Sequence, residues 1–237
     1  MNPTLLALDT GTEVLHLGAC RGDRSWQRAL PGGARASADL LPALMSLLDE
    51  AGLALRDLDA IAFGRGPGAF TGVRAACAVT QGLAFGAGRP VLSLDSLMAV
   101  AEDARTQGAG DELWVAVDAR MGEAYAARYR HGPEGWRTID APSLHDPVTL
   151  AQHAAAETPA PQVAGSSLSA HAAAWTACGG PRWPDAGPRA GALLALARAA
   201  WARGEAVDAA RALPLYVRDK VAQTTAERAA AALERRA

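Results

Sequence analysis

The residues with most chemistry to offer sit at two turns. Asp9, Thr10, Gly11 and Thr12 follow the apolar run Leu5 to Leu8, and Asp118-Ala119-Arg120-Met121-Gly122-Glu123 follows a second apolar run that begins at Leu113. A carboxylate, two hydroxyls and free backbone N–H groups in one tight turn can cradle a phosphate, with the carboxylate holding a hydrated Mg²⁺ at one remove. Asp, Thr and Gly are equally common in turns for local reasons, because short polar side chains bond to their own backbone. In the second turn Asp118, Arg120 and Glu123 place an acid, a base and an acid close enough to pair. Exposed pairs of this kind contribute only about 0–1 kcal/mol.

Between the two turns lies a glycine-dense stretch, Gly64-Arg65-Gly66-Pro67-Gly68-Ala69-Phe70-Thr71-Gly72-Val73-Arg74. Gly64, Gly66 and Gly68 permit close backbone approach, Pro67 stiffens the loop, and Thr71 stands where a helix N-cap is expected. The unpaired N–H groups behind such a cap, at Gly72 and beyond, form a contact site for an anion or a partner. No Lys-[Ser/Thr] pair follows the glycines, so this is not a P-loop. The spacing does not give the dinucleotide fingerprint either.

Other chemistries find little support. The five histidines, His16, His131, His145, His153 and His171, show no H-x-x-x-H spacing and no Cys or carboxylate partner in a metal pattern, so no metal site is expected. G-x-S-x-G is absent, and Ser166-Ser167 sits in a loop with nothing to mark a nucleophile, so no catalytic residue is assigned. Cys20, Cys77 and Cys178 are scattered and odd in number, which fits a reducing cytoplasm. A net charge of −2 gives no electrostatic footprint for binding nucleic acid unaided. The opening residues carry no basic leader pattern, and no apolar run reaches the length of a membrane span, so a cytoplasmic protein without a membrane is expected.

The elements that must hold these turns are legible as patterns. Strands are predicted at Leu5 to Leu8, Val14 to Ala19 and Ser25 to Leu30. A helix follows over Ser37 to Ala51 with Leu40, Leu41, Leu44, Leu47 and Leu48 on one apolar stripe facing a sheet, then a strand at Ala60 to Phe63. A helix over Thr71 to Phe85, a strand at Val91 to Leu94 and a helix capped by Ser96 complete a β-β-β-α-β-α-β order. Strands at Leu113 to Asp118, Ala124 to Tyr129, Trp136 to Ile139 and Gln162 to Ala164, with a helix at Val148 to Ala156, repeat part of that order. Gly165 to Pro188 is ill-defined, Ala192 to Arg203 is a helix ended by Gly204, and Thr224-Thr225-Ala226-Glu227 is a capping-box start. An α/β fold with a first lobe at 1–106 and a second, less regular lobe at 107–237 is expected. The helix after the glycine loop is apolar nearly all round, so either it is wholly internal or another chain covers one side.

Leu6-Ala7-Leu8-Asp9-Thr10-Gly11-Thr12, the glycine loop, Asp118 to Tyr125 and Leu215-Tyr216-Val217-Arg218 together resemble, in order and over nearly the whole chain, the motifs of the TsaB (YeaZ) family. Ala69 stands where serine is frequent, Ala75-Ala76 where Ile-Gly is common, and Ala124 where valine is common. The resemblance implies the actin-like ATPase fold of two ribonuclease-H-like lobes. It implies a non-catalytic scaffold that pairs with TsaD, with TsaE joining, so that a threonylcarbamoyl group reaches adenosine 37 of tRNAs reading ANN codons. tRNA is then met indirectly, through the complex. TsaD carries H-x-x-x-H on its first helix, whereas Ala34-Arg35-Ala36-Ser37-Ala38-Asp39-Leu40-Leu41 has no histidine. Pairing is expected through Leu44, Leu48, Val73, Ala76, Cys77, Thr80, Leu83 and Ala84, with a homodimer in isolation. No cofactor is required, and ATP or ADP is allowed at low affinity at Asp9 to Thr12. The competing expectation is an enzyme, either a nucleotide-binding actin-fold phosphotransferase or a protease acting on TsaD.

Overall fold

The computed structural model describes residues 2–32 and 36–218, so Ala34-Arg35 and the Thr224 capping box lie outside the described residues. The first sheet is built on β1 (Leu5–Asp9), whose residues are all buried because helices cover both its faces. A strand closed on both sides reads as a continuous apolar run. It pairs antiparallel with β2 (Val14–Arg21), which pairs antiparallel with β3 (Arg24–Pro31). On its other edge β1 runs parallel to β4 (Ala60–Gly64), and β4 to β5 (Val91–Leu94), giving the order β3-β2-β1-β4-β5.

The second sheet repeats this plan. β6 (Glu112–Arg120) pairs antiparallel with β7 (Glu123–Gly132), β7 with β8 (Gly135–His145), and β6 runs parallel to β9 (Gln162–Ala164), which pairs with β10 (Arg182–Trp183). Read outward from the central strand, two hairpin strands lie to one side and two parallel strands to the other in both sheets. This duplicated order is that of two ribonuclease-H-like lobes, the actin-like ATPase arrangement.

Helices α1 (Ala36–Ala51) and α2 (Phe70–Ala87) cover one face of the first sheet, where Leu40, Leu44, Leu47, Ala76, Cys77 and Ala84 pack on Leu6, Leu8, Leu17, Ile61 and Phe63. Between the sheets lies α3 (Ser96–Thr106). Ala99 joins the first core, while Leu97, Val100, Ala101 and Ala104 join Leu113, Val115 and Tyr129 of the second. α4 (Pro147–Ala156) covers the far face of the second sheet with a single-turn α5 (Ser167–Ala170). Finally α6 (Ala190–Ala202) crosses back and packs Leu193, Leu194 and Ala197 onto the first sheet. A boundary drawn by chain order, 1–106 against 107–237, therefore cuts across the packing. The second face of the first sheet is covered mainly by α6, which packs Leu193, Leu194, Leu196 and Ala197 over Leu5, Ala7 and Ala62.

Two predicted caps move by one or two residues. Asp95, not Ser96, caps α3 by accepting from the N–H groups of Leu97 and Met98, at 2.9 and 3.2 Å. α2 begins at Phe70 with Ala69 in the cap position and no side-chain cap bond, so Thr71 lies inside the first turn and is exposed.

The glycine loop is shaped by contact with the β1–β2 turn. A Cβ on Gly64 would lie 1.7 Å from Asp9 Oδ2, and one on Gly72 would lie 1.9 Å from the carbonyl oxygen of Thr10. Gly82, midway along α2, has open space where its side chain would be. Gly72→Ala should therefore cost about 2 kcal/mol or more, while Gly82→Ala should gain up to about 1 kcal/mol by restoring helix propensity. Urea unfolding of the two variants measures both signs.

Candidate functional site

The two lobes face each other across a cleft of about 1340 Å³, walled by the β1–β2 turn, the first turn of α2, the β6–β7 hairpin and the segment 184–189. At its floor on the first lobe, Asp9 is wholly buried. Its Oδ1 accepts from the Gly11 N–H at 2.7 Å, and its Oδ2 accepts from the Ser96 hydroxyl at 2.6 Å. Ser96 Oγ in turn accepts from the Gly66 N–H at 3.1 Å, and the Gly66 carbonyl accepts from the Ser96 N–H at 3.1 Å. One carboxylate and one hydroxyl thus tie β1, the glycine loop and α3 to each other. Burial raises the Asp9 carboxyl to about 6, although both hydrogen bonds oppose the shift.

Both hydroxyls of this turn and the Gly11 carbonyl bond to backbone groups. Thr10 Oγ donates to the Gly72 carbonyl at 2.6 Å, the Gly11 carbonyl accepts from the Ala69 N–H at 2.7 Å, and Thr12 Oγ donates to the Val14 carbonyl at 2.8 Å. The glycine loop occupies the space directly over the turn, with Gly68 close enough that a Cβ would lie 2.7 Å from the Gly11 oxygen. The expectation that Asp9, Thr10, Gly11 and Thr12 cradle a phosphate and a hydrated Mg²⁺ thus concerns a turn whose carboxylate is buried. Thr10, Gly11 and Thr12 line the cleft, but the carboxylate is sealed from it and the turn's hydroxyls serve the backbone.

On the facing wall, Arg120 and Met121 have positive φ, 64° and 58°, and Gly122 completes the tight hairpin. Arg120 lies 3.6 Å from Asp118 and pairs across the cleft with Glu13 of the first lobe. Glu123 does not pair with Arg120; its partner is Arg218, at 2.7 Å. Asp118 also faces His171, with 3.4 Å between Oδ1 and Nε2, and its backbone N–H donates to Ser166 Oγ at 3.1 Å. Ser166 is thus bonded to backbone and not to the imidazole, so the three groups do not form a nucleophile–base–acid relay. Among the described residues no cluster of His, Cys, Asp and Glu could hold a metal ion. His16, on β2 at the cleft, is lowered to about 4 by burial and by the Arg189 guanidinium.

The predicted partner residues are placed differently from expectation. Leu44, Leu48, Val73, Ala76, Cys77, Thr80 and Ala84 are buried inside the lone chain, and Leu83 is half-buried. Their spacing was read as two-sided because Ala and Gly dilute the polar side of α2. In the structure the buried stripe faces the sheet, and the residues of α2 turned outward include Arg74, Ala78, Gly82 and Phe85; on α1 Leu41 and Met45 are also exposed. Phe85 is 62 % exposed, Leu41 45 % and Met45 38 %.

The family described as TsaD, tRNA N6-adenosine threonylcarbamoyltransferase, matches residues 33–225. A relative from Escherichia coli, the tRNA threonylcarbamoyladenosine biosynthesis protein TsaB, is 32 % identical over 198 residues, 77 % of this chain and 80 % of its own length. The chain belongs to the TsaB (YeaZ) family. The TsaB protein of Haemophilus influenzae is 42 % identical over 125 residues, 52 % of each chain. The solved structure of YeaZ from Pseudomonas aeruginosa superposes with a TM-score of 0.80 at 38 % identity, covering 90 % of this chain and 99 % of that one. All four motifs that carried the resemblance to TsaB lie at the lobe junction: the Asp9 turn, the glycine loop, the 118–125 hairpin and the 215–218 segment.

Sequence reasoning passed over Ser96, Glu13, Tyr129 and Arg218 as partners in this network. Asp95-Ser96 ahead of an apolar helix was the available signal, since only one of two adjacent cap formers can cap. Asp95 Oδ2 accepts from the Tyr129 hydroxyl at 2.7 Å, which joins the lobes, and burial raises the carboxyl.

Because Asp9 binds its proton more tightly when folded than when unfolded, its contribution to stability falls as pH rises from about 4 to about 6. His16 acts in the opposite sense over the same range, so a comparison with Asp9→Asn isolates the carboxylate. The stability of Asp9→Asn relative to the parent should rise by up to about 3 kcal/mol between pH 4 and pH 7. Urea unfolding at several pH values tests this; a pH-independent difference contradicts it.

Proposed function

We propose that this chain takes part in the biosynthesis of threonylcarbamoyladenosine in tRNA as a non-catalytic scaffold, pairing with TsaD and joined by TsaE, to support transfer to adenosine 37 of tRNAs reading ANN codons. The observation that carries the reading is the exposure of apolar and small residues on the outward sides of both helices, Leu41 and Met45 on α1 and Ala78, Gly82 and Phe85 on α2. Glycine in an exposed helix interior costs about 1 kcal/mol relative to alanine. Among the described residues nothing lies within 4 Å of where a Gly82 side chain would be, so close approach by another backbone is what gives that residue a purpose. Large exposed side chains framing a small-residue centre make a shape that a partner's helices can enter. In the absence of TsaD a second copy of the chain takes the same face, as an isologous dimer.

The inward-turned Asp9 turn supports the non-catalytic part of the reading. Its groups hold the glycine loop in place, and no cofactor of the chain's own is needed for that task. The chain works in the cytoplasm and meets tRNA through its partner.

Reconstitution of the modification with TsaC, TsaD and TsaE should lose activity when this chain is left out, and the chain alone should transfer nothing. Ala78→Arg and Gly82→Arg should abolish co-elution with TsaD while leaving the chain folded, the first within about 0.5 kcal/mol of the parent's stability and the second up to about 1 kcal/mol more stable. Ala76→Arg, at a buried position, should instead unfold the first lobe. Undiminished pairing by both surface variants would remove the proposed face.

A further inference from the structure

We propose that the C-terminal strap, residues 207–218, is a latch that sets the angle between the lobes and couples that angle to the partner face on α2. The coupling rests on the partner reading above; the latch itself rests on contacts within the chain.

The strap is fastened first along the first lobe. Val207 exchanges both backbone hydrogen bonds with Val91, at 2.8 and 2.9 Å. Gln81 Nε2 of α2 donates to the carbonyls of Ala209 and Ala212, each at 3.1 Å, and Ala209 and Ala212 are buried in the first core. The Leu215 N–H donates to the Arg65 carbonyl at 2.7 Å, in the glycine loop. The strap then crosses to the second lobe. Val217 packs against the core between the lobes, and Arg218 ends in the β6–β7 hairpin.

Arg218 is the residue on which the crossing depends. Its side chain is only 11 % exposed. One guanidinium nitrogen donates to the Ala119 carbonyl at 3.0 Å and lies 2.7 Å from Glu123, and the same group reaches the Arg120 carbonyl at 3.4 Å. All three oxygens lie on Nη2, while Nη1 donates to the Met121 sulfur at 3.0 Å, so two nitrogens of the planar group engage the hairpin, which the single ammonium of lysine does not reproduce. These acceptors belong to the turn whose Arg120 and Met121 adopt the left-handed region, where non-glycine residues are strained. The turn so held presents Arg120 to Glu13 across the cleft. That pair is highly exposed and contributes at most about 1 kcal/mol by itself. Arg218, fixed at one end by the strap and at the other by the hairpin, is the stronger tie.

The link to the partner face is Tyr216. Its hydroxyl accepts from Arg74 Nε at 2.8 Å, its ring lies 5.4 Å from that of Phe70, and the Arg74 guanidinium stacks 3.8 Å from the Phe70 ring centre. Arg74 is one turn from Ala78 on the outward side of α2. A partner seated there fixes Arg74, hence Tyr216, hence the strap. By linkage, the lobe angle that favours the strap's closed position also favours the partner, to the same factor.

The test uses nitroxide labels at Thr71→Cys and Ser169→Cys, exposed residues on opposite walls of the cleft; the three native cysteines are buried. Pulsed electron-electron resonance on the otherwise unaltered chain should give one narrow distance distribution. Arg218→Ala should broaden it and move it to longer distances, Arg218→Lys should do so in part, and Tyr216→Ala should broaden it with Arg218 intact. Adding TsaD should narrow the broadened Arg218→Lys distribution, in which Tyr216 is intact, and should not narrow that of Tyr216→Ala. Should Arg218→Ala fail to fold, Arg218→Lys carries the test. A folded Arg218 variant with unchanged distances overturns the latch, whatever its pairing. Parent-like distances in Tyr216→Ala, with and without TsaD, overturn the coupling. Retained pairing by Ala78→Arg counts against the partner reading alone and leaves the distances to decide the latch.

Discussion

Burial of the Asp9 carboxylate beneath the glycine loop is the constraint from which the rest of the arrangement follows. A carboxylate without access to water must have its oxygens satisfied within the chain, and here the Gly11 N–H and the Ser96 hydroxyl satisfy them. Those two donors come from the turn after β1 and from the start of α3, so the position of each is set by the other. Gly64 must lack a side chain because Asp9 fills that space, and Gly72 must lack one because the Thr10 carbonyl does. The glycines of the loop are thus consequences of backbone packing at this junction. A phosphate cradle would need the same atoms to face the cleft.

With the turn closed, the chemistry of the cleft reduces to a few ties between lobes: Glu13 with Arg120, Tyr129 with Asp95, and Arg218 with the hairpin. The first is exposed and easily exchanged, whereas the other two are largely buried and hold hydrogen-bonded groups. The chain's outward novelty lies elsewhere, on α1 and α2, where the sheet-facing stripe is complete without help and a second set of apolar side chains remains outside. A scaffold needs both properties: a lobe that folds by itself and a face that is finished by another molecule.

Much of this was legible in the residues. The run Leu5 to Leu8 reads as a strand covered on both sides, and the repeated order of strands and helices reads as two similar lobes. On α1 the leucine spacing correctly turns Leu40, Leu44, Leu47 and Leu48 to the sheet, but Leu41, which it assigns to the same stripe, lies outside because position i+1 is about 100° round the helix. On α2 the same method lost direction, since alanine and glycine carry little hydrophobic contrast between inside and outside. Residues such as Ala76 and Ala78, alike in type, lie on opposite sides. The return of α6 to the first sheet and the partnership of Arg218 with the β6–β7 hairpin span most of the chain length, and no local pattern encodes such pairings.

The central claim is that the partner meets the outward side of α1 and α2 while the cleft keeps its own ties. Hydrogen–deuterium exchange of the chain with and without TsaD tests it most directly. The account predicts added protection in peptides spanning residues 38–50 and 74–88, with little change at 10–13. Protection confined to the Asp9 turn and the facing hairpin, with the two helices unaffected, would contradict it.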